Sequence, residues 1–273
     1  MSYEAVLFEI SGRIANVTLN RPEKYNALNE VMLDELLDIF EKVGSNDDIN
    51  VLTITGAGKA FCSGVDVNSP FFMQPEKEGD KAGQEITGPR FTRLLFDQHK
   101  MIQGIYKLPQ VTIASINGVC VGGGGFGMAM ACDMRVASEK AKFWMVPARM
   151  GVIQDFAIPW FLARLIGTAK TCELLFTGDR IDGIEAARLG IVNRAVPLED
   201  LPKVTAELVD KVAAFAPFAL RLAKHSVYRG LYLPLQEQLD TEAVANGLCA
   251  MTKDAKEAFN AFFEKRKPVF QGE

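Results

Sequence analysis

Asp155 is the only carboxylate in the stretch PARMGVIQDFAIPW, residues 147–160, where Val152, Ile153, Phe156, Ile158 and Trp160 read as buried neighbours. An ionised carboxylate taken out of water without a partner costs several kcal/mol, so such a residue is paired, caps a helix, or does chemistry. An apolar pocket would raise its pKa and make it a better base near neutral pH. The competing role is structural: aspartate is a preferred N-cap, and a helix is predicted to begin near Phe156. Two glycine-rich turns accompany it. GKAFCSGVDV (58–67) follows the strand-like VLTITG, and INGVCVGGGGFGMAMACD (116–133) carries Gly122 to Gly125 from a strand into an apolar helical segment. Four glycines allow close backbone approach to a ligand, and a helix N-terminus adds its positive end. The run matches neither a P-loop, which needs GK[ST], nor the GxGxxG register of a dinucleotide site. Tight helix–strand packing would explain it as well. Two exposed-amide turns after two buried strands could supply converging N–H donors to a carbonyl that gains negative charge.

These groups have to be held by an α/β layered domain. AVLFEISGRIANVTLN predicts two strands joined at Ser11–Gly12. NEVMLDELLDIFEKVGS predicts a helix with apolar positions Val31, Leu33, Leu36, Leu37, Phe40 and Val43, N-capped by Asn29 and stopped by Gly44. INVLTITG, QVTIASING and KFWMV read as further strands. From Asn68 to about Arg90 the chain is polar and rich in Gly and Pro, either a mobile loop beside a site or a plain surface insertion. After Leu201 the pattern is helical throughout. The expected division is an α/β core over 1–200 and a helical oligomerisation region over 201–273.

Composition bounds the function. The chain has 273 residues, 48% hydrophobic and 23% charged, with a net charge of −4. This is the profile of a well-packed globular chain, and the interspersed charge argues against a nucleic-acid surface. No apolar run approaches the roughly 20 residues of a membrane span, and MSYEAVLFEI lacks the features of a secretory leader, so a cytoplasmic, membrane-free protein is expected. The five cysteines are scattered without a CxxC pair, which predicts reduced buried thiols and no metal site. With only His99 and His225, imidazole chemistry has few candidates.

NRPEKYNALN, GKAFCSGVDV, INGVCVGGGGFGMAMACD, TGDRIDGIEAARLGIVNRAVP and AFFEKRKPVFQG occur in the order seen in the crotonase, or enoyl-CoA hydratase/isomerase, superfamily, which the chain resembles over nearly its whole length. The resemblance implies a spiral of ββα turns, a helical trimerisation segment, and a homotrimer or dimer of trimers. It implies an acyl-CoA thioester as substrate, with coenzyme A entering as part of it and no separate cofactor. The thioester oxygen would lie between the backbone amides of Val65 and Gly123, with Gly124 open as the alternative because the chain carries one extra residue between Asn117 and ACD relative to the family pattern. Ser63 and Val67 flank the first amide. Arg21 and Lys24, and Lys265 and Lys267 from a neighbouring subunit, would meet the CoA moiety, although ordinary solvated charges explain them too. Family hydratases use two glutamates. One position here is Phe126 or Gly127, and the other is Pro147, so hydration is disfavoured.

Asp155 falls at a third family position, that of single-acid enoyl-CoA isomerases, which implies a double-bond shift with Asp155 as acid/base. Two rivals stay open. A hydrolytic aryl-CoA dehalogenase resembles DQHKMI and DFAIPWFLARLIG, with Asp155 as nucleophile and His99 assisting; yet Pro147 replaces the tryptophan expected there, and His99 also fits a structural helix position beside Leu95 and Ile102. A non-catalytic acyl-CoA-binding member is the other. Trp144, Trp160, Phe71 and Phe72 would line an acyl pocket or simply pack in the core; Asp66 would fix the first turn.

Overall fold

The computed structural model describes residues 3–68, 88–145 and 151–273, Arg90's side chain apart. Strands β1 (Val6–Ser11) and β2 (Ile14–Leu19) form the expected antiparallel hairpin, turning at Gly12. In β2 every second residue, Ala15, Val17 and Leu19, is fully buried, as a strand with one face on the core requires. Helix α1 (Glu30–Gly44) follows, with the Asn29 side chain accepting from the Met32 N–H. Its buried face is Met32, Leu33, Leu36, Ile39, Phe40 and Val43, turned from the predicted stripe so that Val31 and Leu37 are only partly covered. Gly44 is the last helical residue rather than a left-handed stop; Ser45 closes the helix with right-handed backbone.

From β3 onward the chain repeats one step. A strand in a large sheet is followed within a few residues by a strand in a small sheet. In this way β3 (Val51–Gly56) leads to β4 (Ala60–Cys62), β5 (Val111–Ile116) to β6 (Val119–Val121), and β7 (Met134–Ser138) to β8 (Lys142–Trp144). Helices come between the steps: α2 (Gly88–Lys107) before β5, a wide π-type turn over Gly123–Gly127 with the short α3 (Met128–Ala131) before β7, and α4 (Ile158–Thr177) after β8. The large sheet runs β1-β2-β3-β5-β7-β10, parallel except at β1; the small sheet runs β4-β6-β8-β9, with β9 (Arg180–Asp182) antiparallel. This is a spiral of ββα turns. Each residue of β5 is buried, because helices cover one face of the large sheet and the small sheet the other. Helix α5 (Gly183–Leu189) and β10 (Arg194–Val196) close the spiral.

Residues beyond 200 are helical as expected: α6 (Leu201–Ala213), α7 (Pro217–Gly230), α8 (Leu235–Ala250) and α9 (Lys253–Phe263). Helix α6 packs directly on the large sheet, with Val209 against Val51, Val111 and Ile113. Helix α7 is tied to the same sheet by a buried ion cluster. The Asp133 carboxylate accepts from Lys224 Nζ at 2.8 Å, from the Tyr228 hydroxyl at 2.6 Å and from the Thr112 N–H at 2.7 Å. Burial and the facing carboxylate push the Tyr228 pKa up, so its hydroxyl stays a donor. By contrast α8 and α9 leave Leu235, Val244, Phe259, Phe262 and Phe263 exposed, as is Met251 between them. No described helix is long and apolar enough to cross a membrane.

The Asp133 cluster generates a prediction. The Lys224 side chain is 8% exposed, so Asp133→Ala leaves a buried ammonium without its counter-ion, bonded to the Gln110 carbonyl. The expected loss is about 3–5 kcal/mol, read from urea unfolding; a change in stability below about 1 kcal/mol would show that the cluster contributes no more than a surface pair.

Candidate active site

Because β4, β6 and β8 are parallel, their C-terminal ends lie along one edge of the small sheet. Ser63–Val65 leave the end of β4, Gly122–Gly124 the end of β6, and the segment carrying Asp155 comes after β8. Topology therefore brings the two glycine turns to one edge, and the Phe156 ring, lying against Gly123 and Gly127, brings the segment of Asp155 to them.

The first turn is held by backbone pairing. The Leu28 N–H donates to the Gly64 carbonyl and the Asp66 N–H to the Leu28 carbonyl, each at 2.8 Å. In a parallel bridge of this kind the intervening residue points its own N–H the other way, so Val65 presents an amide away from Leu28. Asn26 fixes the approach of this strand. It is fully buried and left-handed (φ 56°), its Oδ1 accepts from the Arg21 N–H, and its Nδ2 donates to the Ala57 and Ala60 carbonyls. Asn117 links the second turn to the first, donating to the Gly56 and Gly58 carbonyls.

The turns themselves touch. A Cβ on Gly64 (φ 106°) would lie 3.3 Å from the Val121 carbonyl oxygen, and one on Gly124 would lie 2.9 Å from Gly64 C and O. Gly122 (φ 60°) starts the wide turn, whose first N–H groups, Gly123 and Gly124 among them, have no intrahelical acceptor. The glycines are thus required by backbone-to-backbone contact between the two turns. The position that follows the run also becomes definite: Phe126 turns into the core against Phe143, ring centres 5.6 Å apart, while a Cβ on Gly127 would face Phe156 and Ile102.

Asp155 does not cap a helix. The N-cap of α4 is Ala157, which has no side-chain cap bond; what Asp155 gives Ile158 is its main-chain carbonyl. The carboxyl is half-buried, and desolvation raises its pKa; its own backbone N–H and the nearby His99 pull the other way. His99 stands edge-on to Phe156 with ring centres 5.2 Å apart, and its Nε2 is enclosed without a partner. Phe156 is 2% exposed and left-handed (φ 53°), whereas Val152 and Ile153, expected to be buried, are exposed, Ile153 at 84%, so the cover over Asp155 comes from its C-terminal side. Nothing in the sequence signalled the conformation of Phe156, because an aromatic residue is among the last expected in that backbone region.

The expected binding residues separate. Ser63 and Val67 flank Val65, and Lys24 is exposed nearby, its carbonyl within 3.4 Å of the Ser63 hydroxyl. Arg21 is engaged inside the chain, paired with Asp66 at 2.9 Å and donating to the Ala27 carbonyl, so it braces the first turn and is not a free cation. Lys265 and Lys267 lie beyond α9, outside the elements that build the turns. Trp144 donates to the Gly178 carbonyl under Arg180. Trp160 packs among Tyr106, Phe161 and Tyr232 with Arg164 on its face, the packing role of the two left open for it. Phe71, Phe72 and Pro147 lie outside the described residues. A hollow of about 410 Å³ beside Tyr106, Lys107 and His225 shares no residue with the turns.

All five cysteines are free. Burial raises the pKa of Cys62 and of Cys132 to about 12, and that of Cys120 well above normal, so these three are neutral thiols and not nucleophiles. Among the described residues no group of three His, Cys, Asp or Glu is placed to hold a metal ion.

The profile of the enoyl-CoA hydratase/isomerase family matches residues 9–273. A short-chain-enoyl-CoA hydratase of Clostridium acetobutylicum is 34% identical, over 98% of this chain and 97% of its own. An (E)-benzylidenesuccinyl-CoA hydratase of Thauera aromatica is 35% identical over 98% and 99%. The crystal structure of an enoyl-CoA hydratase from Bacillus anthracis superposes with a TM-score of 0.90 at 30% identity, covering 99% of this chain and all of that one.

Burial of Asp155 has a measurable price in stability. A carboxyl whose folded pKa is raised binds its proton more tightly folded than unfolded. The ionised form is therefore a liability that is absent below the ordinary carboxylate pKa of about 4 and sets in as pH rises through the raised value. Asp155→Asn should melt higher than wild type at pH 7, with the gain vanishing as pH falls to about 4. Calorimetry across pH checks this; an asparagine variant that melts lower at pH 7 would contradict it.

Proposed function

The chain belongs to the enoyl-CoA hydratase/isomerase family and is an acyl-CoA enzyme; within that family we propose that it shifts a carbon–carbon double bond, acting as an enoyl-CoA isomerase. The observation that carries the reading is that, among the described residues, Asp66 at the first turn is taken up by Arg21, while Asp155 adjoins Phe156, whose ring lies against Gly123 and Gly127; Phe126 faces the core and Gly127 carries no side chain. The relatives compared above bear hydratase names, so the proposal is a departure from them, and it rests on the residues of this site.

In the proposed reaction the thioester oxygen of a 3-enoyl-CoA lies between the Val65 and Gly123 N–H groups. The Asp155 carboxylate takes a proton from C2, the electrons pass to the thioester oxygen, and the two amides stabilise the dienolate, each by about 3 kcal/mol. The same carboxyl then returns the proton to C4, leaving the double bond between C2 and C3. Protons balance and no water is consumed. Raising the Asp155 pKa brings it closer to the working pH, which favours both transfers. Ser63, Val67 and Lys24 border the path of the CoA moiety, with Lys265 and Lys267 reaching it from a neighbouring subunit; no separate cofactor or metal takes part. The exposed apolar residues of α8 and α9 support a homotrimer or dimer of trimers, and the protein is proposed to work in the cytoplasm, free of membrane and nucleic acid.

His99 beside Phe156 favours one second reading, an aryl-CoA dehalogenase. There Asp155 attacks the ring carbon, halide leaves, and water hydrolyses the ester with His99 assisting.

Conversion of 3-enoyl-CoA to 2-enoyl-CoA by wild type and Asp155→Asn is the direct test. The variant should lose roughly 10²–10⁴-fold in kcat with KM little changed. Activity should fall on acidification with an apparent pKa above the ordinary aspartate value, because the base must be ionised. Wild type inert over a range of chain lengths would overturn the isomerase reading, and halide release from a halogenated aryl-CoA would put the second in its place. Light scattering should give three or six times the 30.0 kDa chain mass.

A further inference from the structure

Directly after Asp155, two non-glycine residues in succession, Phe156 (φ 53°) and Ala157 (φ 57°), hold left-handed backbone. For a bulky side chain this region is an outlier that persists only where the surroundings enforce it, and such outliers gather at functional sites. Here the surroundings are specific. A Cβ on Gly123 would come within 1.9 Å of the Phe156 ring, and one on Gly127 within 2.6 Å of Phe156 Cβ, with Ile102 Cδ1 at 3.5 Å behind it. The ring also meets His99 edge-on, centres 5.2 Å apart. Phe156 therefore fills the space over the glycine turn that side chains at 123 and 127 would otherwise occupy.

We infer that Phe156 is a positioning residue that keeps the site dry and limited to one acid, its ring taking the volume that a second acidic side chain or an attacking water would need beside Asp155. This deepens the isomerase reading and rests on it for its catalytic consequence: the bound dienolate can be reprotonated only by Asp155, and water addition to the product is suppressed by the absence of room. The left-handed backbone is what lets a residue adjacent to the acid reach the turn. Desolvation as the main cause of the raised Asp155 pKa is consistent with a ring that excludes solvent from that side. Among the described residues His99 is the side chain acting electrostatically on Asp155, and it is left in place throughout the test.

Phe156→Gly removes the ring while keeping a backbone that glycine adopts freely; Phe156→Leu restores most of the bulk. Three quantities are read: the titration of Asp155 by carboxyl-labelled NMR, assigned by difference from Asp155→Asn; kcat and KM for isomerisation; and the fraction of 3-hydroxyacyl-CoA formed from 2-enoyl-CoA. In Phe156→Gly the Asp155 titration should move down toward the ordinary aspartate range, and kcat should fall by roughly tenfold or more with KM changed by less than about threefold. Hydrated product should become detectable. Phe156→Leu should return the titration and most of kcat, which a merely structural role would not predict. If Phe156→Gly does not fold, Phe156→Asn, which tolerates the same backbone and admits water, replaces it in the comparison with leucine. An Asp155 titration unchanged from wild type in the ring-deleted variant overturns the inference. A wild type with no isomerase activity would sink the functional reading alone, since the titration is measured without turnover.

Discussion

The site depends on one steric constraint: two backbone turns from adjacent parallel strands come into van der Waals contact. Gly64 meets the Val121 carbonyl, and Gly124 meets the backbone of Gly64. Any side chain at these points would separate the turns, and with them the amides they present. What surrounds them serves to hold that contact. Asn26 bonds three backbone groups around the first turn, Asn117 bridges it to the start of the second strand pair, and Arg21 with Asp66 closes its far side. The family relationship is a consequence of the same geometry, since a backbone contact tolerates wide variation in the side chains around it.

Against this rigid pair the acid is held in an environment that disfavours its charge. Asp155 is neither a helix cap nor ion-paired with a described residue through an N–O contact; it sits beside a buried ring in strained backbone. On the proposed function, stability is given up there for reactivity, as is usual where a carboxyl must work near neutral pH. The loss is made up at a distance, where Asp133, Lys224, Tyr228 and Thr112 bind the C-terminal helices to the sheet with every partner satisfied.

Much of this was legible in the sequence, and the reasons are local. The hairpin at Ser11–Gly12, the strands at 51–56 and 111–116 and the Asn29 cap follow from side-chain period and capping chemistry, which need only near neighbours. The glycine turns were visible because missing side chains leave a mark in composition. The end of α1 was not, since Ser45 closes it without a left-handed residue. Phe156 was not either: propensity argues against an aromatic in left-handed backbone, and only tertiary packing on Gly123 and Gly127 overrides it. Trp160 shows the same limit, because Tyr106 and Tyr232, which enclose it, lie 54 and 72 residues away in sequence. Whether Asp155 caps a helix or not depended on a two-residue shift in the start of α4, finer than any periodicity resolves.

The parallel small sheet carries a wider implication. Its strands end side by side, so the chain returns to the same edge several times, each time with a fresh opportunity to place a functional group opposite an unchanging pair of amides. On the proposed function, recognition of the thioester and choice of reaction are therefore written on separate stretches of chain. A lineage built on this plan can trade one chemistry for another by substitutions at single return points, without having to rebuild the grip on its substrate.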